Sequence, residues 1–163
     1  CMSVMTDPAP KIQISAFPGT DARLERCHGL RRAVFIVEQS VPEAEEIDGR
    51  DAECAHVLLS VDGVDVGTAR LRLPADVAYS KAERVAVAQH RRGQGLGRAM
   101  MRALEEISRD RGRLEVRLGA QLSALGFYEG LGYAAFGPVF DDAGIDHRMM
   151  KRVLAEQPPA AVE

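Results

Sequence analysis

The stretch HRRGQGLGRAMMRALEE, residues 90–106, sets Arg91, Arg92 and three glycines, Gly93, Gly95 and Gly97, directly ahead of an amphipathic run. Glycine reaches backbone conformations closed to other residues and has no side chain to hold a ligand away. The first amides of a helix lack partners inside it, and the helix dipole adds about half a positive charge there. With two guanidinium groups beside them, such amides form a site for an anion, phosphate or pyrophosphate being the natural guest. The simpler alternative is a glycine-rich turn with solvated arginines. The order of strand, arginines, spaced glycines and helix favours the anion site, spread over Arg92, Gly93, Gln94, Gly95, Leu96, Gly97 and Arg98.

Two familiar phosphate motifs do not fit. A P-loop ends in Gly-Lys-Ser or Gly-Lys-Thr, whereas Gly97 is followed by Arg98 and Ala99. The dinucleotide fingerprint is G-x-G-x-x-G at the start of a βαβ unit. Here the pattern is G-x-G-x-G, and several strand-like runs precede it.

The elements that must position this loop can be read from periodicity. KIQISAF alternates like a strand, and residues 19–39 carry Leu24, Cys27, Leu30 and Val34 near helical spacing. An acidic, proline-containing loop, SVPEAEEIDGRDAE, follows. CAHVLLSV and VGTARLRL read as strands joined through DGVD, a hairpin signal, and KAERVAVAQ as a third. The helix after the glycines keeps Leu96, Ala99, Met100, Ala103, Leu104 and Ile107 on one face, and Gly112 can end it. A strand in RLEVRLGA, a helix in QLSALGFYEGLG and short strands around YAAFGP and HRMMKRVL complete the order. Antiparallel strands followed by a strand–helix–strand unit give an α/β, mixed α+β, architecture.

Composition narrows the class. The chain has 163 residues and a net charge of -3, which suits one domain and argues against a protein built to bind nucleic acid. No segment approaches the roughly 18 apolar residues of a membrane span. CMSVMTDPAP lacks the basic and apolar regions of a secretory signal. Cys1, Cys27 and Cys54 form no C-x-x-C pair, which fits free thiols in a reducing cytoplasm. Residues 1–10 and 155–163 carry proline and alanine without periodicity and read as flexible termini.

Arg92, Gly95 and Gly97 match the Arg/Gln-x-x-Gly-x-Gly/Ala motif, and FYEGLGY a later motif, of the GCN5-related N-acetyltransferases (GNAT). The chain resembles that family from about residue 11 to 154, as a single domain. RRAVFIVEQSVPEAEEIDGRDAECAHVLL, ERVAV and FDDAGIDHRMM are similar to its ElaA-like subgroup. The resemblance implies a largely antiparallel mixed sheet, splayed in the middle and flanked by helices. It implies acetyl-coenzyme A as co-substrate, with its pyrophosphate on the glycine loop and its pantetheine arm along Val85, Ala86 and Val87. Backbone amides of Val85 and Val87 would hold the oxyanion, Tyr128 would donate to the leaving thiolate, and Glu83 would be a base, directly or through water. The implied reaction moves an acetyl group directly from the thioester to a small-molecule or peptide amine, in a monomer or homodimer.

The residues leave several points open. His56 and His147 are further candidates for the base, against satisfied structural histidines. Glu83 has a salt bridge to Arg84 as its alternative, and Arg70 and Arg72 read most simply as exposed strand arginines. His90 borders the loop. Glu38, Gln39 and the carboxylates from Glu43 to Asp51 would attract a cationic amine, against a solvated acidic loop. Their spacing does not match a calcium loop, so no metal is assigned. Two other readings carry different tests: a coenzyme A-binding sensor without turnover, and, from a looser similarity of the front half, an acyl-homoserine-lactone synthase.

Overall fold

The computed structural model describes residues 8–154. Residues 8–10 carry no regular structure; the rest of the two expected flexible termini lies outside the described residues. Seven strands form one sheet: β1 Ile12–Pro18, β2 Ala55–Val61, β3 Val64–Arg72, β4 Tyr79–Val87, β5 Glu115–Gln121, β6 Ala134–Asp142 and β7 Ile145–Val153. Their order is β1-β2-β3-β4-β5-β7-β6. Every pairing is antiparallel except that of β4 with β5. Among the described residues four α-helices accompany it: α1 Leu24–Arg31, α2 Glu43–Glu46, α3 Leu96–Asp110 and α4 Leu125–Gly130.

The main core lies between the sheet and α3. Val57, Leu59 and Leu71 from the strands meet Leu96, Met100, Met101 and Leu104, all essentially without exposure. Burying one such side chain is worth about 1.5–3 kcal/mol, so this face of α3 locks the helix to the sheet. Leu58, pointing the other way, packs with Phe17 and Cys27 under α1. The expected apolar face of α3 is the one that packs, and Gly112, with φ +70°, follows its end.

The local signals behave as their chemistry requires, with three differences. Asp62 and Gly63 both have positive φ, as the tight turn between twisted strands β2 and β3 demands. The expected helix over residues 19–39 is α1 followed directly by a π-helical segment, Arg32–Glu38. The helix read in residues 121–132 holds α-form only over α4, after a short turn, Leu122–Ala124. The expected short strands near the end are nine residues each, β6 being broken by a register shift between Phe136 and Phe140. Among the described residues no helix is long and apolar enough to cross a membrane.

Candidate active site

A gap opens in the sheet where β4 and β5 part. They pair only at Tyr79–Glu115, Ser80–Val116 and Lys81–Arg117, and diverge beyond. The cause lies in β4. Opposite β3, Thr68 pairs with Ala86 and Arg70 with Glu83, so Arg84 and Val85 face a single residue and form a bulge. A bulge bends its strand and increases its twist, which carries β4 away from β5. Arg84 sits at φ +54°, and its guanidinium donates to the carbonyl oxygens of Glu45 and Glu46 at 3.2 and 3.1 Å, holding the bend. Amides alternate between the two edges of a strand. The Ala88 N–H donates to Val66 at 2.8 Å, so that of Ala86 points the same way, while those of Val85 and Val87 face the gap.

The gap belongs to a cleft of about 910 Å³, which Ala86, Leu96 and Arg98 also line. At one end stands the glycine loop. Gly93 and Gly95 have φ +78° and +79°, conformations that side chains other than glycine adopt at a cost, and both face open space. Gly95 caps α3 without any side-chain hydrogen bond. Among the described residues, none of the N–H groups of residues 93–98 donates to another group. Gly97 has a different reason: a Cβ there would come within 3.0 Å of the Phe127 ring. It also lines the cleft, so packing against Phe127 and access to the loop amides meet at this position. Gln94 and His90 are exposed and do not line the cleft. Arg92 reaches across the mouth to form a two-pronged ion pair with Glu38, at 2.6 and 2.9 Å.

Tyr128 sits mid-cleft, buried edge-on between Phe127 and Tyr133. Burial pushes its phenol up to about 12. Phe127 takes the exposed position of the pair.

Glu83 is not bridged to Arg84. Its carboxylate accepts hydrogen bonds from Arg70 and lies 3.2 Å from Arg72 and 3.6 Å from Lys81. Burial alone would raise its pKa, but the charge and hydrogen bonds of Arg70 outweigh that and hold it below the usual range. Arg70, expected to be exposed, is 1% exposed and also donates to Asp48 and Asp51. The acidic loop is solvated only in part: Glu43, Glu45, Asp48 and Glu53 are exposed, whereas Glu46 and Asp51 are buried. Arg31, itself buried, pairs with Glu46 at 2.5 Å and Asp51 at 2.7 Å. The loop's charges therefore fasten α1 and β3 together, and Glu45 is the loop carboxylate left free in the cleft.

The two histidines separate clearly. His56 is buried away from the cleft, donates from Nε2 to the Asp51 carbonyl at 2.8 Å and stacks on Phe17. Burial lowers its pKa, so it is a neutral structural residue. His147 lines the cleft and stacks on Phe140. Its Nδ1 lies 2.6 Å from the Ile145 carbonyl oxygen, which can only accept. Nδ1 therefore carries the proton of the neutral ring, and Nε2 keeps its lone pair.

The acetyltransferase (GNAT) domain family matches residues 20–154. The chain belongs to the GNAT acetyltransferases. Among the relatives of this GNAT chain, protein YyaT of Bacillus subtilis is 37% identical over 139 residues, covering 83% of this chain and 93% of that one. Protein ElaA of Escherichia coli is 34% identical over 131 residues, covering 78% and 85%. The crystal structure of E. coli ElaA superposes with a TM-score of 0.77 at 29% identity, over 87% of this chain and 99% of that one. An acyl-CoA N-acyltransferase from Pseudomonas aeruginosa gives 0.78 at 30% identity, over 88% and 100%. The chain is thus an N-acetyltransferase with the mixed sheet of that fold. Sequence reasoning missed one link in this acetyltransferase's cleft, where the Gln121 amide donates to Gln39 at 2.9 Å across 82 positions. No local pattern marks that pairing; only the convergence of β5 on the π-helical segment creates it.

Proposed function

We propose that residues 11–154 form a single domain that transfers an acetyl group from acetyl-coenzyme A directly to an amine. The observation that carries this reading is the continuous run from unpartnered loop amides to unpartnered strand amides along one cleft. Phosphate oxygens fit the amides of residues 93–98, with Arg91, Arg92 and Arg98 adding charge. A pantetheine arm has two amide groups of its own and completes the open edge of β4 as an added strand would. The thioester oxygen then meets the Val85 and Val87 amides, donors oriented before reaction and therefore most effective as negative charge develops. The Pseudomonas neighbour, by its name, uses an acyl-CoA.

The transfer is direct because the thiols among the described residues are misplaced. Cys27 and Cys54 are buried outside the cleft, and burial raises both, Cys54 to about 11. Tyr128 serves as hydrogen-bond donor to the leaving sulfur. Full proton transfer from a phenol at about 12 to a thiolate near 8.5 would be uphill by roughly 5 kcal/mol. A thiolate leaving into the same desolvated cleft is raised as well, which narrows the gap. Glu83 orders Arg70; a carboxylate held below its normal range is a poor acceptor for an ammonium proton. His147, with Nε2 free, takes the proton of the incoming amine.

The test is release of free thiol from acetyl-coenzyme A by the purified protein across an amine panel, repeated with Tyr128→Phe. Amine-dependent release is expected, and the variant should lose about 10²-fold in kcat at the lower end of general-acid effects, with coenzyme affinity unchanged. Tight coenzyme binding without release by any amine would sink the transfer reading and leave a sensor.

A further inference from the structure

A second cavity of about 300 Å³ opens beside the cleft on the α1 side of β3 and β4. Lys81, Glu83 and Arg84 line both spaces, so the two adjoin along β4. Its walls carry five cationic side chains, Arg50, Arg70, Arg72, Lys81 and Arg84, against the carboxylates of Asp48 and Glu83.

Those two carboxylates are already shared. Arg70 alone engages both, and Arg72 and Lys81 approach Glu83 without a hydrogen bond from the Arg72 Nε. The Nε of Arg72 and of Arg84 are buried yet make no hydrogen bond. Arg50 has no ion-pair or side-chain hydrogen-bond partner among the described residues. Glu46, held chiefly by the buried Arg31, also lies 3.3 Å from the Arg84 Nε but without hydrogen-bond geometry, and Asp51 is held by Arg31 and Arg70, so the cations of the basin stay in excess. A buried guanidinium N–H without a well-aligned acceptor is unfavourable, the more so because the group is charged. An oxyanion in this basin supplies the missing acceptors and balances the charge.

We infer that the basin binds an oxyanion of the acetyl acceptor, so that the acceptor is an amine carrying a carboxylate or phosphate group. This rests on the transfer reading above. Lys81 lies four residues before Val85 on one strand, at about 3.3 Å per residue, so amine and oxyanion stand within about 13 Å of each other. That reach suits an amino acid, an ω-amino acid or an aminoalkyl phosphate. At the amine end, Glu45 and Asp142 line the cleft without an ion-pair partner among the described residues, so an ammonium approaches carboxylates while the anion approaches guanidinium groups. The expectation that the acidic loop attracts a cationic amine narrows to Glu45, because Glu46, Asp48 and Asp51 are paired with Arg31 and Arg70.

The test compares ω-amino acids and aminoalkyl phosphates of two to six methylenes with the matching amino alcohols and diamines, by thiol release. The expected result is a kcat/KM at least tenfold higher for an anionic series, and the better of the two series identifies carboxylate or phosphate. Arg50→Gln, at an exposed position, should lower the anionic-to-neutral ratio severalfold, and Arg50→Lys should restore most of it. Equal use of amino alcohols or diamines, or an unchanged ratio in Arg50→Gln, overturns the proposal. Calorimetry with 6-aminohexanoate and O-phosphoethanolamine, in the presence of coenzyme A, separates the two claims. Heat that vanishes in Arg50→Gln without any turnover keeps the oxyanion site and removes the transfer reading. No heat from either compound rejects the site, whatever the neutral amines do.

Discussion

Replacing Gly95 by Asp and, separately, by Asn isolates the charge that the loop is built to receive. Gly95 has φ +79°, and a Cβ there meets nothing within 4 Å. Asp and Asn tolerate this left-handed conformation similarly, so any backbone strain cancels between the two variants. In the free protein Asp should be the more stable by about 0.3–1 kcal/mol, because its charge faces the positive end of the α3 dipole. With coenzyme A the order reverses. A carboxylate about 5 Å from one phosphate charge, at an effective dielectric near 20, is repelled by roughly 3 kcal/mol, or about 10²-fold in affinity. Calorimetry with coenzyme A at low and at 0.5 M salt measures the difference, which should shrink at the higher salt as screening shortens to a few ångströms. Thermal melts with and without coenzyme A show the crossover in stability. Equal affinity of the Asp and Asn variants for coenzyme A would refute the phosphate assignment of the loop.

Other outcomes follow from the same geometry. Glu38→Gln releases Arg92 from its two-pronged pair and removes a negative charge at the cleft mouth; coenzyme A affinity should rise up to about fivefold, the worth of a partly exposed pair. Arg70→Met leaves Asp48, Asp51 and Glu83 without their shared counter-ion, so urea unfolding should show a loss of about 3–5 kcal/mol. In the wild type these three carboxyls titrate below their usual range, against the cost of burial, through their arginine partners. Their stabilisation is complete above the unfolded-state pKa near 4 and is lost as pH falls through the lower folded values; denaturant midpoints should be flat near neutrality and drop below about pH 4. His147→Gln should lower kcat about 10²-fold with coenzyme A affinity unchanged, because the variant has no Nε2 lone pair to take the amine proton; an unchanged kcat excludes His147 as base.

The glycine loop, the face of α3 and the β2–β3 turn were legible because each rests on short-range rules: a left-handed conformation, a 3.6-residue period, a two-residue turn. The position of Tyr128 opposite the loop was legible only through the resemblance, since nothing local says which of Phe127 and Tyr128 turns inward. The acidic loop was legible only in part, its buried Glu46 and Asp51 being hidden for a physical reason. A run of Glu and Asp is solvated unless cations reach it, and Arg31 and Arg70 lie outside that run, on α1 and β3. Glu83 was misread in the same way, its setting made by Arg70 across the strand and not by its neighbour Arg84.

By itself the sequence determined where the backbone can turn, which faces are apolar and where unpaired helix amides meet arginines, because these depend on residues a few positions apart. Tertiary structure alone decided which charges cancel, that Nε2 of His147 is free, and that Arg72 and Arg84 keep Nε donors without hydrogen bonds beside the cleft. Ion pairing and burial join residues tens of positions apart, and only a folded sheet with a bulge at Arg84 and Val85 sets those distances.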